Sequence, residues 1–451
     1  MEIPLLKDIV TIFGLSIAVI FICHRIRVPV IVGFLLTGIL AGPHGLRLVK
    51  AIQEVEFLAE IGVVLLLFAI GIEFSLKNLL QIKRSVLLGG SLQVLLTIFA
   101  SFFVARRIGL AFGESVFIGF LISLSSTAVV LKNLQERAEI DSPYGRTALA
   151  ILIFQDIIVV PMMLFIPLLA GATRSLSESF LVLVVKGIGI VLLVIVSAEW
   201  IVPHVLYQVA RTRSRELFLL SIVVMCLAVA WLTSSAGLSL ALGAFLAGLI
   251  ISESEYSHQA LGNVLPLRDV FTSFFFVSIG MLLDIGFIFR QPGLVVLIAL
   301  GVLTLKTLIA GVAVVLLKFP FRTAILAGLA LNQVGEFSFI LSKAGVEQGL
   351  LAGNIYQLFL AVSVLTMAAT PFIIALAPRI ADITLQLPLP RRIKMGLYPV
   401  SEMSDAGKKD HLKDHLIIIG FGVNGRNLTR AARVASIPYV IVEMNPEMVR
   451  N

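Results

Sequence analysis

Ile151-Leu152-Ile153-Phe154-Gln155-Asp156-Ile157-Ile158-Val159-Val160-Pro161 places one carboxylate inside an apolar run that extends from about Ala148 to Ala170. A run of that length crosses a bilayer as a helix. A carboxylate at that depth costs ~2.5–3.5 kcal/mol on insertion scales, so it persists where it faces an ion or proton path or a buried partner. Pro161 has no N–H and leaves the Ile157 carbonyl without its helical donor, which loosens the turn beside the acid. An acid, the adjacent Gln155 amide and a loosened turn at mid-membrane read as a cation site. A structural ion pair locking two helices is the competing reading.

The chain around this stretch is of the same kind. Of its 451 residues, 59% are hydrophobic and only 14% are charged, with a mean hydropathy of +1.04. Soluble domains carry about 25% charged residues, so a polytopic membrane protein with lipid as its surroundings is expected. The net charge of +8 does not point to nucleic acid. The basic residues sit mostly in short loops between apolar runs, which is a topology signal. Cys23 and Cys226 fall in apolar spans, so neither a disulfide nor a cysteine metal site is expected. The start, Met1-Glu2-Ile3-Pro4, lacks the basic region and cleavage site of a signal peptide and reads as a first helix that stays attached.

About thirteen spans are expected, near 5–23, 28–41, 55–73, 85–105, 114–133, 146–170, 178–205, 216–235, 238–252, 266–284, 293–317, 322–344 and 354–377. The fold class is then an all-α polytopic membrane protein, with residues 1–379 as its membrane domain. With the C-terminal segment inside, thirteen spans put the N-terminus outside, and the inner loops then carry the excess of Lys and Arg.

The chain also repeats itself. Gly33-Phe34-Leu35-Leu36-Thr37-Gly38 resembles Gly243-Ala244-Phe245-Leu246-Ala247-Gly248, Ile70-Gly71 matches Ile279-Gly280, and Pro161 matches Pro371, at offsets of 210, 209 and 210 residues. Seven spans separate matched helices, an odd number, so the halves run in opposite directions. Inverted repeats are a transporter architecture whose site lies at the midplane, between broken helices at matching places. Ser123-Leu124-Ser125-Ser126-Thr127-Ala128 and Asn332-Gln333-Val334-Gly335-Glu336-Phe337-Ser338 interrupt apolar spans at that offset. Ser125, Ser126, Thr127, Asn332, Gln333 and Glu336 therefore join Gln155 and Asp156 as candidate ion- or proton-binding residues. Ordinary small-residue helix packing is the alternative. The position matching Asp156 is Thr366, so the acid is not duplicated. Lys306 lies mid-span and needs a partner, and Asp156 is the economical one. Glu60 and Lys186 are weaker intramembrane candidates.

Residues 380–413 read as a basic linker, and a soluble α/β segment occupies 414–451. His415-Leu416-Ile417-Ile418-Ile419 reads as a strand, followed by Gly420-Phe421-Gly422-Val423-Asn424-Gly425, a helical run and a second strand ending at Glu443. That order gives the GxGxxG pattern the context of a dinucleotide-binding fingerprint. Gly420, Gly422, Val423, Asn424 and Gly425 would cradle a phosphate, and Glu443 would accept from ribose hydroxyls. A fold of this kind that binds nothing is the alternative. Two strands are under half of such a sheet, so the segment is expected to be the start of a longer, truncated Rossmann-like domain.

Phe154-Gln155-Asp156 after a Ser-Ser-Thr break, Asn332-Gln333-x-Gly335-Glu336-Phe337, and the Gly420-x-Gly422-x-x-Gly425 tail together resemble the Kef-type potassium/proton antiporters of the sodium/proton antiporter superfamily. The resemblance covers nearly the whole chain. It implies a bacterial inner-membrane homodimer, with a core moving against a dimerisation scaffold. Asp156 would carry a monovalent cation, K⁺, and a proton in turn, and AMP or NAD(H) on the cytoplasmic tail would gate transport. A soluble regulatory partner is also expected. After His258 the chain has Gln259, Gly262 and Asn263 where glutathione-gated members are more acidic, which departs from that mode of gating. With one titrating acid, exchange is expected to be electroneutral. The alternatives are a Na⁺/H⁺ antiporter on the same fold and a nucleotide-gated potassium channel. A channel would need a carbonyl filter, and no Thr-Val-Gly-Tyr-Gly-like stretch occurs.

Overall fold

The computed structural model describes residues 4–73, 84–140, 142–171, 202–235, 240–252, 254–386 and 414–442. Its membrane part is helical: α1 (Pro4–Arg25), α2 (Val30–Ala41), α3 (Ile52–Glu73), α4 (Arg84–Arg107), α5 (Phe112–Ser123), α6 (Thr127–Glu136), α7 (Pro143–Leu169), α8 (Val202–Arg211), α9 (Arg215–Ser235), α10 (Leu240–Ser252), α11 (Ser257–Leu282), α12 (Ile285–Arg290), α13 (Pro292–Leu316), α14 (Phe321–Ala330), α15 (Glu336–Glu347) and α16 (Gly353–Leu385). Among the described residues, nine helical stretches are long and apolar enough to cross a membrane, α5 and α6 counting together. Three shorter apolar helices, α2, α10 and α14, accompany them. Val10, Ile17 and Phe21 on α1, Leu95 and Phe99 on α4, Val224 and Trp231 on α9, and Leu297 and Leu308 on α13 all point outward. That apolar exterior suits lipid rather than water. The count of thirteen needs a span at 178–205, most of which, with Lys186, lies outside the described residues.

Local chemistry sets several helix ends. Ser142 accepts from the Gly145 N–H and Pro143 occupies the first turn of α7, where a missing N–H costs nothing. Pro161 does not break α7, which runs unbroken from Pro143 to Leu169. The Asp8 carboxylate in α1 accepts from the N–H groups of Lys50 and Ala51 at 2.9 and 2.7 Å, capping the start of α3. The last membrane helix, α16, continues to Leu385, beyond the boundary expected at residue 379.

Two groups of helices emerge. Helices α1–α3 pack with α9–α11, and α4–α7 pack with α13–α16. The repeat is visible in how they cross. Gly38 of α2 meets Gly280 of α11 so closely that a Cβ on Gly38 would lie 2.0 Å from the Val277 oxygen. Gly71 of α3 meets Gly248 of α10 in the same way, with 2.1 Å from a Gly248 Cβ to the Phe68 oxygen. The repeat offset maps Gly38 onto Gly248 and Gly71 onto Gly280, so the two contacts are one contact used twice. The second group obeys the same rule: Gly119 of α5 sits on Ile98 of α4, and Gly328 of α14 sits on Thr307 of α13. A buried apolar cluster including Leu35, Phe68, Phe117, Val159 and Phe339 runs across both groups.

The tail contains β1 (Leu416–Ile419), α17 (Val423–Val434) and β2 (Tyr439–Val442). The strands are parallel, with Leu416 opposite Tyr439 and Ile419 opposite Val442.

Candidate functional site

Both expected interruptions are real breaks. Residues 124–126 separate α5 from α6, and 331–335 separate α14 from α15. The breaks touch. The Gly335 N–H donates to the Leu124 oxygen at 3.1 Å, and the Ser125 hydroxyl donates to the Leu331 oxygen at 2.8 Å. Ser338 Oγ donates to the Leu121 oxygen at 2.7 Å. A Cβ at Gly335 would stand 2.6 Å from the Ser125 oxygen, so the closest approach needs glycine. Four half-helix ends thus meet inside the protein, with orphan carbonyls at two and orphan N–H groups at the other two.

Charged side chains match this arrangement. Lys306 of α13 is fully buried, and its ammonium donates to the Leu124 oxygen at 2.5 Å and the Gln333 oxygen at 2.6 Å, one carbonyl from each break. It sits where the C-terminal ends of α5 and α14 concentrate negative potential. The carboxylates take the N-terminal ends. Thr127, first residue of α6, donates its hydroxyl to both oxygens of Asp156, at 3.0 and 3.1 Å. Glu336, first residue of α15, accepts through Oε1 from the Ala128 N–H at 3.4 Å.

The expected Lys306–Asp156 pair is not formed: the ammonium is committed to backbone carbonyls, and Asp156 is held by a hydroxyl. Two other expectations change. Gln155 does not offer itself to an ion. Its Oε1 accepts from the Ser125 N–H at 2.7 Å, and its Nε2 donates to Gln93 Oε1 at 2.6 Å. Glu60 is exposed and pairs with Lys343 at 3.0 Å, away from the crossing.

Gln93, on α4, went unread in the sequence. It is fully buried and donates to the Ser123 oxygen at 3.1 Å and to Thr97 Oγ1 at 3.2 Å. A lone amide in the apolar run Val86–Ala105 was its only signal, since a buried amide demands partners. The second half has its own version of the Gln155 bond: Thr366 Oγ1 accepts from the Val334 N–H at 3.4 Å.

A cleft of about 570 Å³ opens between the α1–α2 connection, α6 and α16. His24, Arg27, Lys132, Asn133 and Pro371 line it, and its lining includes Ala128, whose N–H meets Glu336. In the tail, Gly420 has φ +89°, a backbone that L side chains rarely adopt, and Gly422 caps the start of α17. A Cβ on Gly425 would lie 2.0 Å from the Gly420 oxygen. Val423 and Asn424 open α17, while Glu443 lies just outside the described residues.

Broken helices that cross between repeated halves, with carboxylates at the crossing, define a secondary transporter rather than an enzyme. The chain belongs to the sodium/hydrogen exchanger family, whose transmembrane region matches residues 11–377. It is 36% identical over 386 residues to K(+) efflux antiporter 5 of Arabidopsis thaliana, covering 84% of this chain and 67% of that one. It is 32% identical to the putative K(+) efflux antiporter KefB of Alkalimonas amylolytica, covering 99% and 67%. With the putative cation/proton antiporter YbaL of Escherichia coli K12 it shares 33%, covering 98% and 79%. The fold is that of the sodium proton antiporter MjNhaP1 from Methanocaldococcus jannaschii, at a TM-score of 0.57 and 17% identity over 84% of this chain and 99% of that one.

Proposed function

We propose that this protein is a secondary antiporter exchanging K⁺ for H⁺, one for one, across the inner membrane of a bacterium. The observation that carries the reading is Asp156: a carboxylate at the crossing of two helix breaks, held by one hydroxyl, with no cationic side chain on it among the described residues. Ionised, it attracts a monovalent cation, and the N-terminal end of α6 and the Thr127 hydroxyl favour that form. Protonated, it loses the cation, so the two ions compete for one group. The cleft reaching Ala128 supports a path from the cytoplasmic face, with the N-terminus outside. Movement of the α4–α7/α13–α16 group against the α1–α3/α9–α11 group would open the other side, and a homodimer would fix the second group. K⁺ is favoured because K(+) efflux antiporter 5 and the putative K(+) efflux antiporter KefB are among its relatives.

The tail is a gate in this reading. Its glycines match the three roles of a dinucleotide-binding turn: a positive φ, close phosphate approach at a helix N-terminus, and tight helix–strand packing. AMP or NAD(H) is the class of ligand. The test is cation-driven proton release in proteoliposomes, with K⁺ and Na⁺ compared at equal concentration. Wild type should exchange K⁺, and Asp156→Asn, which keeps the shape and removes the titrating charge, should not. Exchange by the Asn variant overturns the mechanism, and a preference for Na⁺ replaces the substrate. K⁺ flux without obligatory proton movement would make the protein a channel.

A further inference from the structure

The second break holds an unusual concentration of unmet acceptors. Among the described residues, Asn332 Oδ1, Gln333 Oε1 and Glu336 Oε2 have no hydrogen-bond partner, and their residues are 1%, 0% and 8% exposed. Buried polar atoms without partners are few in native proteins, and each calls for an explanation. Here three oxygens fall within five consecutive residues, and the two amide oxygens can only accept. Such a set is satisfied by a cation or by water.

Their placement favours the cation. Three consecutive residues where the first break passes into α6 each meet a different side chain. Gln333 Nε2 donates to the Ser126 oxygen at 3.4 Å, Thr127 donates to Asp156, and the Ala128 N–H donates to Glu336 Oε1. The Gln333 amide, through its nitrogen, and the Glu336 carboxylate, through one oxygen, are thus anchored on the same short strip as Asp156, leaving Gln333 Oε1 and Glu336 Oε2 free. Asp156 has capacity to spare, because a carboxylate accepts about four hydrogen bonds and a single hydroxyl serves both its oxygens. Lys306, the buried ammonium nearby, is spent on Leu124 and Gln333 carbonyls and neutralises neither acid by contact.

We infer that Glu336 is a second carboxylate ligand of the transported cation, with the Asn332 and Gln333 side-chain oxygens completing its shell. The inference rests on the antiport reading and adds to it the ligand set. A cation stripped of water needs several oxygens in place of its hydration shell, more than Asp156 and Thr127 supply. The pair also fits one-for-one exchange. Two neighbouring carboxylates resist being ionised together without a cation between them. When the cation leaves, one proton shared by the pair replaces its single charge.

The experiment measures the KM for K⁺ and the thermal stabilisation by KCl, against choline chloride at equal ionic strength, on the full chain. Glu336→Gln keeps the oxygen that Ala128 uses and turns the free oxygen into an NH₂ group facing the cation. It should raise the KM at least about tenfold, the lower end for a lost charge-assisted contact, and diminish the KCl stabilisation. Asn332→Ala removes an oxygen with no protein donor and should raise the KM by about threefold or more; it decides the matter if the Gln variant does not fold. KM and KCl stabilisation within about twofold of wild type in the folded variants overturn the inference and leave water as the occupant. Failure of the antiport reading looks different: wild type itself would show no cation-coupled proton release.

Discussion

Replacing Lys306 by Met tests what holds the crossing together. Met is of similar length and leaves the packing of α13 nearly unchanged, so the lost groups are the ammonium and its two bonds, at 2.5 and 2.6 Å. A hydrogen bond involving a charged group contributes ~1.5–3 kcal/mol, so the two together contribute ~3–6 kcal/mol. Part is returned, because the variant no longer has to bury an ammonium. The Leu124 and Gln333 carbonyls, however, stay buried beside the ends of α5 and α14 without that donor. A net loss of ~2–4 kcal/mol, at ~2 °C per kcal/mol for a large domain, corresponds to a fall in Tm of ~4–8 °C. The assay is a thermal melt of the purified full chain in detergent, together with proton release in proteoliposomes. Transport should slow, while its pH dependence stays close to wild type, because the ammonium does not touch Asp156. A Tm within about 1 °C of wild type would refute the reasoning about the two carbonyls. A pH profile displaced by about a unit or more would show that Lys306 and Asp156 meet in another state of the cycle.

The Gln93–Gln155 bond should register as a coupling between helices α4 and α7: Gln93→Leu and Gln155→Leu in a double-mutant cycle of thermal stability should show an interaction of ~0.5–3 kcal/mol, and strict additivity would mean the 2.6 Å contact carries no energy. In the tail, Gly422→Asp puts a negative side chain at the first cap of α17, where a phosphate would approach. AMP and NAD(H) should then lose their effect on the melting of the tail in the full-length protein, and a shift of wild-type size would remove this turn as the nucleotide site.

Much of the architecture was legible because membrane helices advertise themselves by length and hydropathy, and because a duplicated helix crossing keeps its glycines. Gly38, Gly71, Gly248 and Gly280 betrayed the repeat, and the polar interruptions at Ser123–Ala128 and Asn332–Ser338 marked the breaks to within three residues. What stayed hidden was partner choice. Opposite charges in one membrane domain suggest each other, so Lys306 was assigned to Asp156. The structure shows that helix-end carbonyls compete for a buried ammonium as well as a carboxylate does. Gln155 was misread for a related reason. Next to an acid, an amide looks like a ligand, and only the backbone geometry of the break reveals an unmet N–H at Ser125 that claims it. Linear sequence also carries no sign that Gln93, two helices earlier, would receive the other end of that amide.

The two halves share a backbone plan and differ in chemistry, and that difference bears on mechanism. Each break is capped from the long helix that follows it, by Gln155 of α7 at Ser125 and by Thr366 of α16 at Val334. The packing glycines Gly38, Gly71 and Gly119 recur at the repeat offset as Gly248, Gly280 and Gly328. A symmetric skeleton of this kind supports two arrangements related by exchanging the roles of the halves, as alternating access requires. Its side chains are not symmetric. Thr366 stands where the repeat would place a second Asp156, and Leu96 or Thr97 where it would place a second Lys306. Lys306 therefore serves both breaks at once from one side, and the acids Asp156 and Glu336 face the opposite helix ends. A duplicated acid would give each half its own ion and no competition between them. With one Asp156 and one Lys306 shared across the axis, the proposed exchange would bind a cation and a proton in turn at one place.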